Sequence, residues 1–382
     1  MEKLVIVTTV PTTLTSILAQ QPSYLAKHFD VALISSPHAE LKKVQSTEGV
    51  ATYGVPMERG ISPVKDLVSL FKMVKQLRVL KPTIVHSYTP KAGLITMLAG
   101  FICRIPVRVH TFTGLIFPTS TGIKQKILIW MDRLICACAT TIVPEGNGVK
   151  KDLIDSAITR KPLKVIGSGN IAGVDTTFFD KQTVIDKQLH LSLLEQLNLS
   201  KHAFVFCFVG RFTQDKGFTE LLSAFYELPE SAHLLLVGEM DERLPLPTEL
   251  TKNLSSHSRI HNIGWQNDVR PALAISNVLL LPSYREGFPN TPLQAGAMAL
   301  PCIVTDINGC NEIIEPGLNG WVVPVKNSKA LAGAMFKSMQ ADNLTQLGLQ
   351  ARSIIVEKFE RQAHWQNMLR FYNKQLVNLA KT

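Results

Sequence analysis

Short β-rich runs alternate along this chain with helix-length stretches. Leu4–Val7, Val31–Ser35, Ile84–His86 and Val107–Phe112 are four such runs in the first half, the last interrupted by Arg108, His110 and Thr111. Continuous apolar runs of roughly four to eight residues suit strands covered on both faces. Between them, around Leu14–Phe29, Val64–Val79 and Pro90–Phe101, apolar positions recur at helical spacing. Strand, helix-length stretch, strand is βαβ logic, and it predicts a parallel sheet with helices on both faces. The pattern restarts after residue 175, where Phe204–Val209, Leu234–Val237, Arg259–Ile263, Val278–Leu281 and Cys302–Thr305 read as a second strand series.

A restart in a chain of 382 residues predicts two α/β domains. The expected boundaries are 1–173 and 174–361, with the small-residue stretch Gly167–Asp175 as the hinge and the amphipathic stretch 362–382 crossing back to the first domain. Open parallel sheets bind ligands at the carboxyl ends of their strands. Two such sheets are expected to face a common cleft, so the loops that follow strands are where chemistry is sought.

Three of these loops stand out. In VGRFTQDKGF, Val209–Phe218, a buried strand ends at Gly210, and Arg211 and Lys216 stand on the loop that leads into a helix beginning near Phe218. Two cations beside a helix N-terminus form an anion site, the Arg as a bidentate clamp and the Lys as a mobile point charge. A solvated turn is the competing reading. In the second run, Leu279–Thr305, the strand ends in Pro282, and the loop carries Glu286, Gly287, Phe288, Pro289 and Asn290. A carboxylate there can hold a sugar hydroxyl, and the loop amides can hold phosphate. Thr291 before Pro292 has the chemistry of an N-cap and an N1 proline, so Gln294 reads either as its capping-box partner or as a ribose contact. In the third, VHTFTGLIF, Thr111, Thr113 and the Gly114 backbone are candidates to line the cleft from the first domain, while His110 reads as a packed strand histidine. The first strand also runs into a polar loop, Thr8–Leu14, whose hydroxyls and amides suit an acceptor or phosphate.

Composition narrows the class. Hydrophobic residues make up 46% and charged residues 18%, which describes a globular protein rather than a disordered one. The longest apolar candidates, Leu94–Cys103 and Ile127–Met131, stop at charges well short of the roughly 20 residues a spanning helix needs. The N-terminus reads as a strand and not as a signal peptide, so a cytoplasmic location is expected. The six cysteines show no CxxC spacing, which leaves buried reduced thiols as the expectation and argues against a zinc or redox role. Of the net charge of +10, residues 1–180 carry +9, from 21 Lys and Arg against 12 Asp and Glu. An anionic lipid surface or a phosphorylated ligand suits that balance. Nucleic acid is the least supported partner, because neither finger spacing nor an RNP-like aromatic motif is present.

Taken together, these runs resemble the retaining GT-B glycosyltransferases of family 4. The family's GR-x(4)-KG phosphate motif is matched by Gly210, Arg211, Lys216 and Gly217. Its EGFPN-x(3)-E motif is matched by Glu286–Asn290, with Gln294 in place of the second Glu. NIAGVDTTFF, Asn170–Phe179, resembles the family's interdomain segment. In the first half TVPTTL, SSPHAEL, VPMERGISPVKDL, IVHSYTPKAGL and HTFTG resemble a bacterial subgroup that assembles capsule, O-antigen and exopolysaccharide. The resemblance spans essentially the whole chain. It implies two Rossmann-like domains, an acceptor-binding one followed by a nucleotide-sugar-binding one.

The implied activity is transfer from a nucleoside-diphosphate sugar, a UDP-linked N-acetylhexosamine, to an undecaprenyl-diphosphate-linked sugar on the inner face of the cell membrane. The implied mechanism is retaining and metal-free, without a cofactor: Arg211, Lys216 and helix amides meet the leaving-group charge and Glu286 binds the donor sugar. Two residues depart from the family pattern. Gln294 loses the negative charge of the second Glu, and Thr113 stands where many members carry a histidine. Peripheral attachment through basic residues is expected, with Lys124, Lys126 and Arg133 as candidates. A nucleotide-sugar epimerase on the same fold and a non-catalytic sugar-nucleotide-binding subunit remain the rival readings.

Overall fold

A computed structural model describes residues 1–381 apart from 59, 61, 200–202, 242–245, 248–253 and 255–256. Packing divides the chain into two units, Met1–Gly173 with Arg361–Thr382, and Val174–Glu360. Each is built on one six-stranded, all-parallel sheet.

In the first unit the strands are β1 (Lys3–Val7), β2 (Asp30–Ser35), β3 (Ala51–Gly54), β4 (Ile84–Tyr88), β5 (Val107–Phe112) and β6 (Thr141–Pro144), in the order β3-β2-β1-β4-β5-β6. Order reverses on either side of β1, so β1 and β4 flank the switch point at which open sheets take ligands. Register is fixed by pairs such as Ile6 with His86 and His86 with Val109. Helices cover both faces, as a parallel sheet requires. On one face α2 (Pro63–Leu80), α3 (Pro90–Ile102) and α4 (Gly122–Cys138) bury Met73, Leu77, Ile95 and Ile135 against Val5, Val7 and Val85. On the other, Met368, Phe371 and Tyr372 of the C-terminal helix (Arg361–Leu379) pack against Leu4, Ile6 and Val109.

The helix expected over Leu14–Phe29 is broken. A turn of π-helix, Thr13–Ile17, ends at Leu18, and α1 (Gln21–Leu25) starts again after Gln20. Gln20 takes a left-handed φ of 67°. Pro22 lies in the first turn of α1, where its missing N–H costs nothing; inside a continuous helix it would remove a bond and clash with the preceding turn.

In the second unit the strands are β7 (Phe204–Val209), β8 (Ala232–Val237), β9 (Ile260–Asn262), β10 (Val278–Leu281), β11 (Cys302–Thr305) and β12 (Gly320–Val323), in the order β12-β11-β10-β7-β8-β9. Here the switch point lies between β7 and β10. Val205, Cys207 and Leu279 face one core, and Phe206, Phe208 and Leu280 face the other. α5 (Phe218–Phe225) follows β7, and α6 (Asn290–Ala297) follows β10. All six cysteines are free thiols, five buried and Cys103 half-buried.

Candidate active site

The carboxyl ends of β7 and β10, at the switch point, carry the two loops that stood out in the sequence, and the structure joins them. Lys216 Nζ of the first donates to Glu286 Oε1 of the second. Lys216 and Glu286 are 21% and 15% exposed, so water only partly screens the pair. Two further contacts hold the loops together. The Tyr284 amide donates to the Asp215 carbonyl at 2.8 Å, and the Arg285 guanidinium lies 3.5 Å from the Asp215 carboxylate. Behind them, the Tyr284 hydroxyl donates to the Glu220 carboxylate at 2.7 Å, from α5.

Glycine makes this approach possible. Gly217 caps α5 with a φ of 69°, and a Cβ there would lie 2.0 Å from the Pro282 carbonyl oxygen. Lys216 occupies a single 3₁₀ turn, Gln214–Lys216, directly before it. Gly210 leaves β7 with its amide bonded to the Val237 carbonyl, and Arg211 reaches sideways to the carboxylate of Asp241, just beyond β8. Asp241 is buried while Arg211 is half exposed, so one edge of the guanidinium is held and the rest faces solvent.

The Glu286–Asn290 loop rests on Gly309. Its φ is 74°, and a Cβ would meet the Gly287 carbonyl oxygen at 2.4 Å and Phe288 Cα at 2.6 Å. Phe288 is buried against Phe359, which anchors the middle of the loop. α6 starts at Asn290 with Pro289 as N-cap and without a side-chain cap bond. Thr291 is therefore not the N-cap, and the Thr291–Gln294 capping box is not formed. Proline at 289 has extended backbone angles, which end the loop two residues earlier than the Thr-Pro pair suggested. Gln294 is partly exposed, one turn into α6.

In the first unit the strand-end polar residues divide. Thr8, Thr9 and Thr13 are buried. Thr8 bonds to Ser35, and Thr9 bonds to Thr89 at 2.7 Å and accepts from the Ala92 amide. These hydroxyls organise the loop and the start of α3 rather than awaiting a ligand. Thr111 is also buried, bonded to His86 Nε2 at 2.7 Å, while His86 Nδ1 meets the Tyr372 hydroxyl at 2.6 Å. Thr111 is thus a strut between the sheet and the C-terminal helix and not a lining residue. His110 is a packed strand histidine: Nδ1 meets Ser87 at 2.9 Å, Gly93 leaves just enough room for its ring, and burial pushes its imidazole down to about 3. Thr113 and Gly114 lie beyond β5, partly exposed, with Gly114 at a φ of 84°.

Sequence reasoning missed Asp215, Asp241 and Gly309. Asp215 lay inside the GR-x(4)-KG run, and an acid between two cations was a usable signal. Asp241 and Gly309 are distant in sequence and join the site only through strand order. Among the described residues, no cluster of three or more His, Cys, Asp or Glu is placed to hold a metal ion.

Residues 203–340 match the family description "Glycosyl transferases group 1", and residues 16–169 match "Glycosyl transferase 4-like domain". The capsular polysaccharide biosynthesis glycosyltransferase CapM of Staphylococcus aureus is 30% identical over 352 residues, covering 91% of this chain and 90% of that protein. The UDP-Gal:α-D-GlcNAc-diphosphoundecaprenol α-1,3-galactosyltransferase of Escherichia coli is 28% identical, covering 87% and 86%. The N,N′-diacetylbacillosaminyl-diphospho-undecaprenol α-1,3-N-acetylgalactosaminyltransferase of Campylobacter jejuni is 25% identical, covering 71% and 72%. In fold, the chain is similar to HepE of Anabaena, solved with UDP, at a TM-score of 0.80 and 17% identity over 97% of this chain and 100% of that one.

Proposed function

This chain belongs to the group 1 glycosyltransferases and has the GT-B fold, and on that footing we propose that it moves a sugar from a UDP-linked N-acetylhexosamine to an undecaprenyl-diphosphate-linked sugar during assembly of a bacterial surface polysaccharide. The observation that carries the donor half is the Lys216–Glu286 pair, which joins the loops at the carboxyl ends of β7 and β10, with Arg211 on the same loop after β7 and paired with Asp241. In the free protein each cation is neutralised by an acid. A nucleoside diphosphate brings its own negative charge, so Lys216 turns from Glu286 to the phosphates, and Glu286 is released to accept from donor-sugar hydroxyls. Arg211, held along one edge by Asp241, offers its remaining N–H groups to the same diphosphate. Charge builds on the leaving oxygen in the transition state, where preorganised cations count most.

In this reading the transfer retains anomeric configuration by front-face displacement, with no enzyme nucleophile and no metal. Gly210, Gly287, Phe288, Pro289 and Asn290 shape the phosphate and sugar pocket of the second unit, and Gln294 contacts the ribose. Thr113 and Gly114 belong to the first unit, which takes the acceptor. The relatives from E. coli and C. jejuni carry diphosphoundecaprenol acceptors in their names, and the latter adds an acetamido sugar. No described helix is long and apolar enough to cross a membrane. Access to such an acceptor is then peripheral, at the inner face, favoured by the basic first unit.

The test is a donor-by-acceptor screen by mass spectrometry, with UDP-hexoses and UDP-N-acetylhexosamines against lipid-diphosphate-linked sugars. One sugar added per UDP released supports the reading. Epimerised UDP-sugar formed without acceptor, or binding without turnover across the panel, overturns it.

A further inference from the structure

Three helices on one face of the first unit carry apolar side chains that the core does not use. α3 lies between α2 and α4, and the inner sides of all three share one core. On the outer side of α4, Ile123, Ile127 and Trp130 follow one another at i, i+4 and i+7 and are 78%, 40% and 63% exposed. That spacing makes a single stripe. On α2 the outer side of the N-terminal half presents Val64, Leu67, Val68 and Phe71, the last 68% exposed. Large rings and β-branched side chains in water, repeated on two helices of one face with α3 between them, exceed the scatter of single apolar residues on an ordinary surface.

Most of the charges beside them are positive; the exposed acid Glu58, just before α2, is paired with Lys65. The three helices hold eight Lys and Arg against two Asp. Asp66 is engaged by Lys91 at 2.6 Å, and Asp132 is buried on the inner side of α4. Neither acid is displayed beside the stripes, whereas Lys72, Lys75, Arg78, Lys124, Lys126 and Arg133 are all exposed. Apolar tips flanked by cations fit an anionic bilayer, where the tips enter the acyl boundary and the cations sit among the headgroups.

The stripes also lie at a particular end of the sheet. α4 follows β5, and α2 leads into β4, so both helices begin at the strands' carboxyl ends. Most of these exposed apolar side chains lie in the first halves, close to the β5–α4 connection that carries Thr113 and Gly114, while Val79, Phe101 and Ile102 are exposed at the other end. We propose that the outer faces of α2 and α4 seat the first unit on an anionic phospholipid bilayer, with Trp130, Ile123 and Phe71 inserted. This rests on the reading of a lipid-linked acceptor and specifies how the enzyme would meet it: the lipid headgroup plane abuts the strand ends where the acceptor is taken.

Flotation with vesicles of phosphatidylcholine alone, and with phosphatidylglycerol added, tests this. Wild type is expected to float with the anionic vesicles, and the double variant Phe71→Ser/Trp130→Ser to partition roughly tenfold or more less. Lys72→Glu/Lys124→Glu/Lys126→Glu is expected to lose the salt-sensitive part of binding. Both variants keep turnover on a soluble short-chain acceptor, which shows that they are folded. Brominated lipid is expected to quench wild-type tryptophan emission but not that of Trp130→Phe, which still floats. If wild type floats and all variants float equally with unchanged quenching, the surface is wrong while peripheral attachment stands. If wild type binds neither vesicle, attachment itself falls and the transferase reading is untouched. A loss of dimer in the variants, with flotation unchanged, would assign the face to a second copy of the chain and overturn the proposal.

Discussion

Gly309→Ala separates backbone strain from damage to the donor loop. Gly309 and Gly317 both take a positive φ, 74° and 79°, and Gly309 combines it with a ψ of −44°. Alanine at such a position costs about 1–2 kcal/mol through its Cβ alone. At Gly317 nothing lies within 4 Å of that Cβ, so Gly317→Ala reports this cost by itself. At Gly309 the Cβ meets three atoms of the 287–289 loop under 3 Å, two of them backbone that no rotamer change can move. Relief requires displacing the loop, at a further cost of about 1–3 kcal/mol. For a unit of this size each kcal/mol lowers Tm by roughly 2–4 °C. Calorimetry is therefore expected to show a drop of roughly 2–8 °C for Gly317→Ala and a clearly larger one for Gly309→Ala. Titration with UDP is expected to show weakened binding in Gly309→Ala alone. Equal Tm shifts with unchanged UDP affinity in both would refute the claim that Gly309 supports the Glu286 loop.

Three other outcomes follow from the same geometry. Since Gln294 does not take part in a capping box, Gln294→Ala is expected to weaken donor binding without loss of Tm, and Gln294→Glu to retain activity; unchanged donor affinity in both would remove the ribose contact. Activity is expected to survive EDTA, and abolition by chelation with rescue by a divalent ion would count against charge stabilisation by Arg211 and Lys216. Burial of Asp132 raises its carboxyl from 3.8 to about 7. Folded protein then keeps a proton that the unfolded chain has already lost, so stability falls as pH rises from about 4 to 7. Asp132→Asn is expected to flatten that slope and raise Tm at pH 8, and an unchanged Tm profile would show that the carboxylate finds solvent or a partner.

The strands most legible in the sequence were those buried on both faces, where Phe204–Val209 and Val278–Leu281 leave no polar position to blur the run. The edge strands Ala51–Gly54, Thr141–Pro144 and Gly320–Val323, each only four residues long, were not read, whereas the edge strand Ile260–Asn262 was. Gln20 was hidden inside a helical spacing that Pro22 interrupts. Arg211, Lys216 and Glu286 could be picked out because cations after a buried strand, and a carboxylate before a helix start, have a physical use. Asp241 and Gly309 could not be, since what makes them part of the site is that β8 lies beside β7 and that Gly309 lies beneath the Glu286 loop. The hydroxyls of Thr8, Thr9 and Thr111 misled for the converse reason: polarity at a strand end looks the same whether it awaits a ligand or satisfies a buried neighbour.

The donor site is tested most directly by calorimetric titration of UDP into wild type, Arg211→Ala and Lys216→Ala, without acceptor. Each lost charge-assisted contact is worth about 1.5–3 kcal/mol, or roughly 10- to 150-fold in Kd. The account predicts one UDP per chain for wild type and losses of that size in both variants, with turnover falling further because the leaving-group charge is greatest in the transition state. UDP bound with wild-type affinity by both folded variants would contradict it.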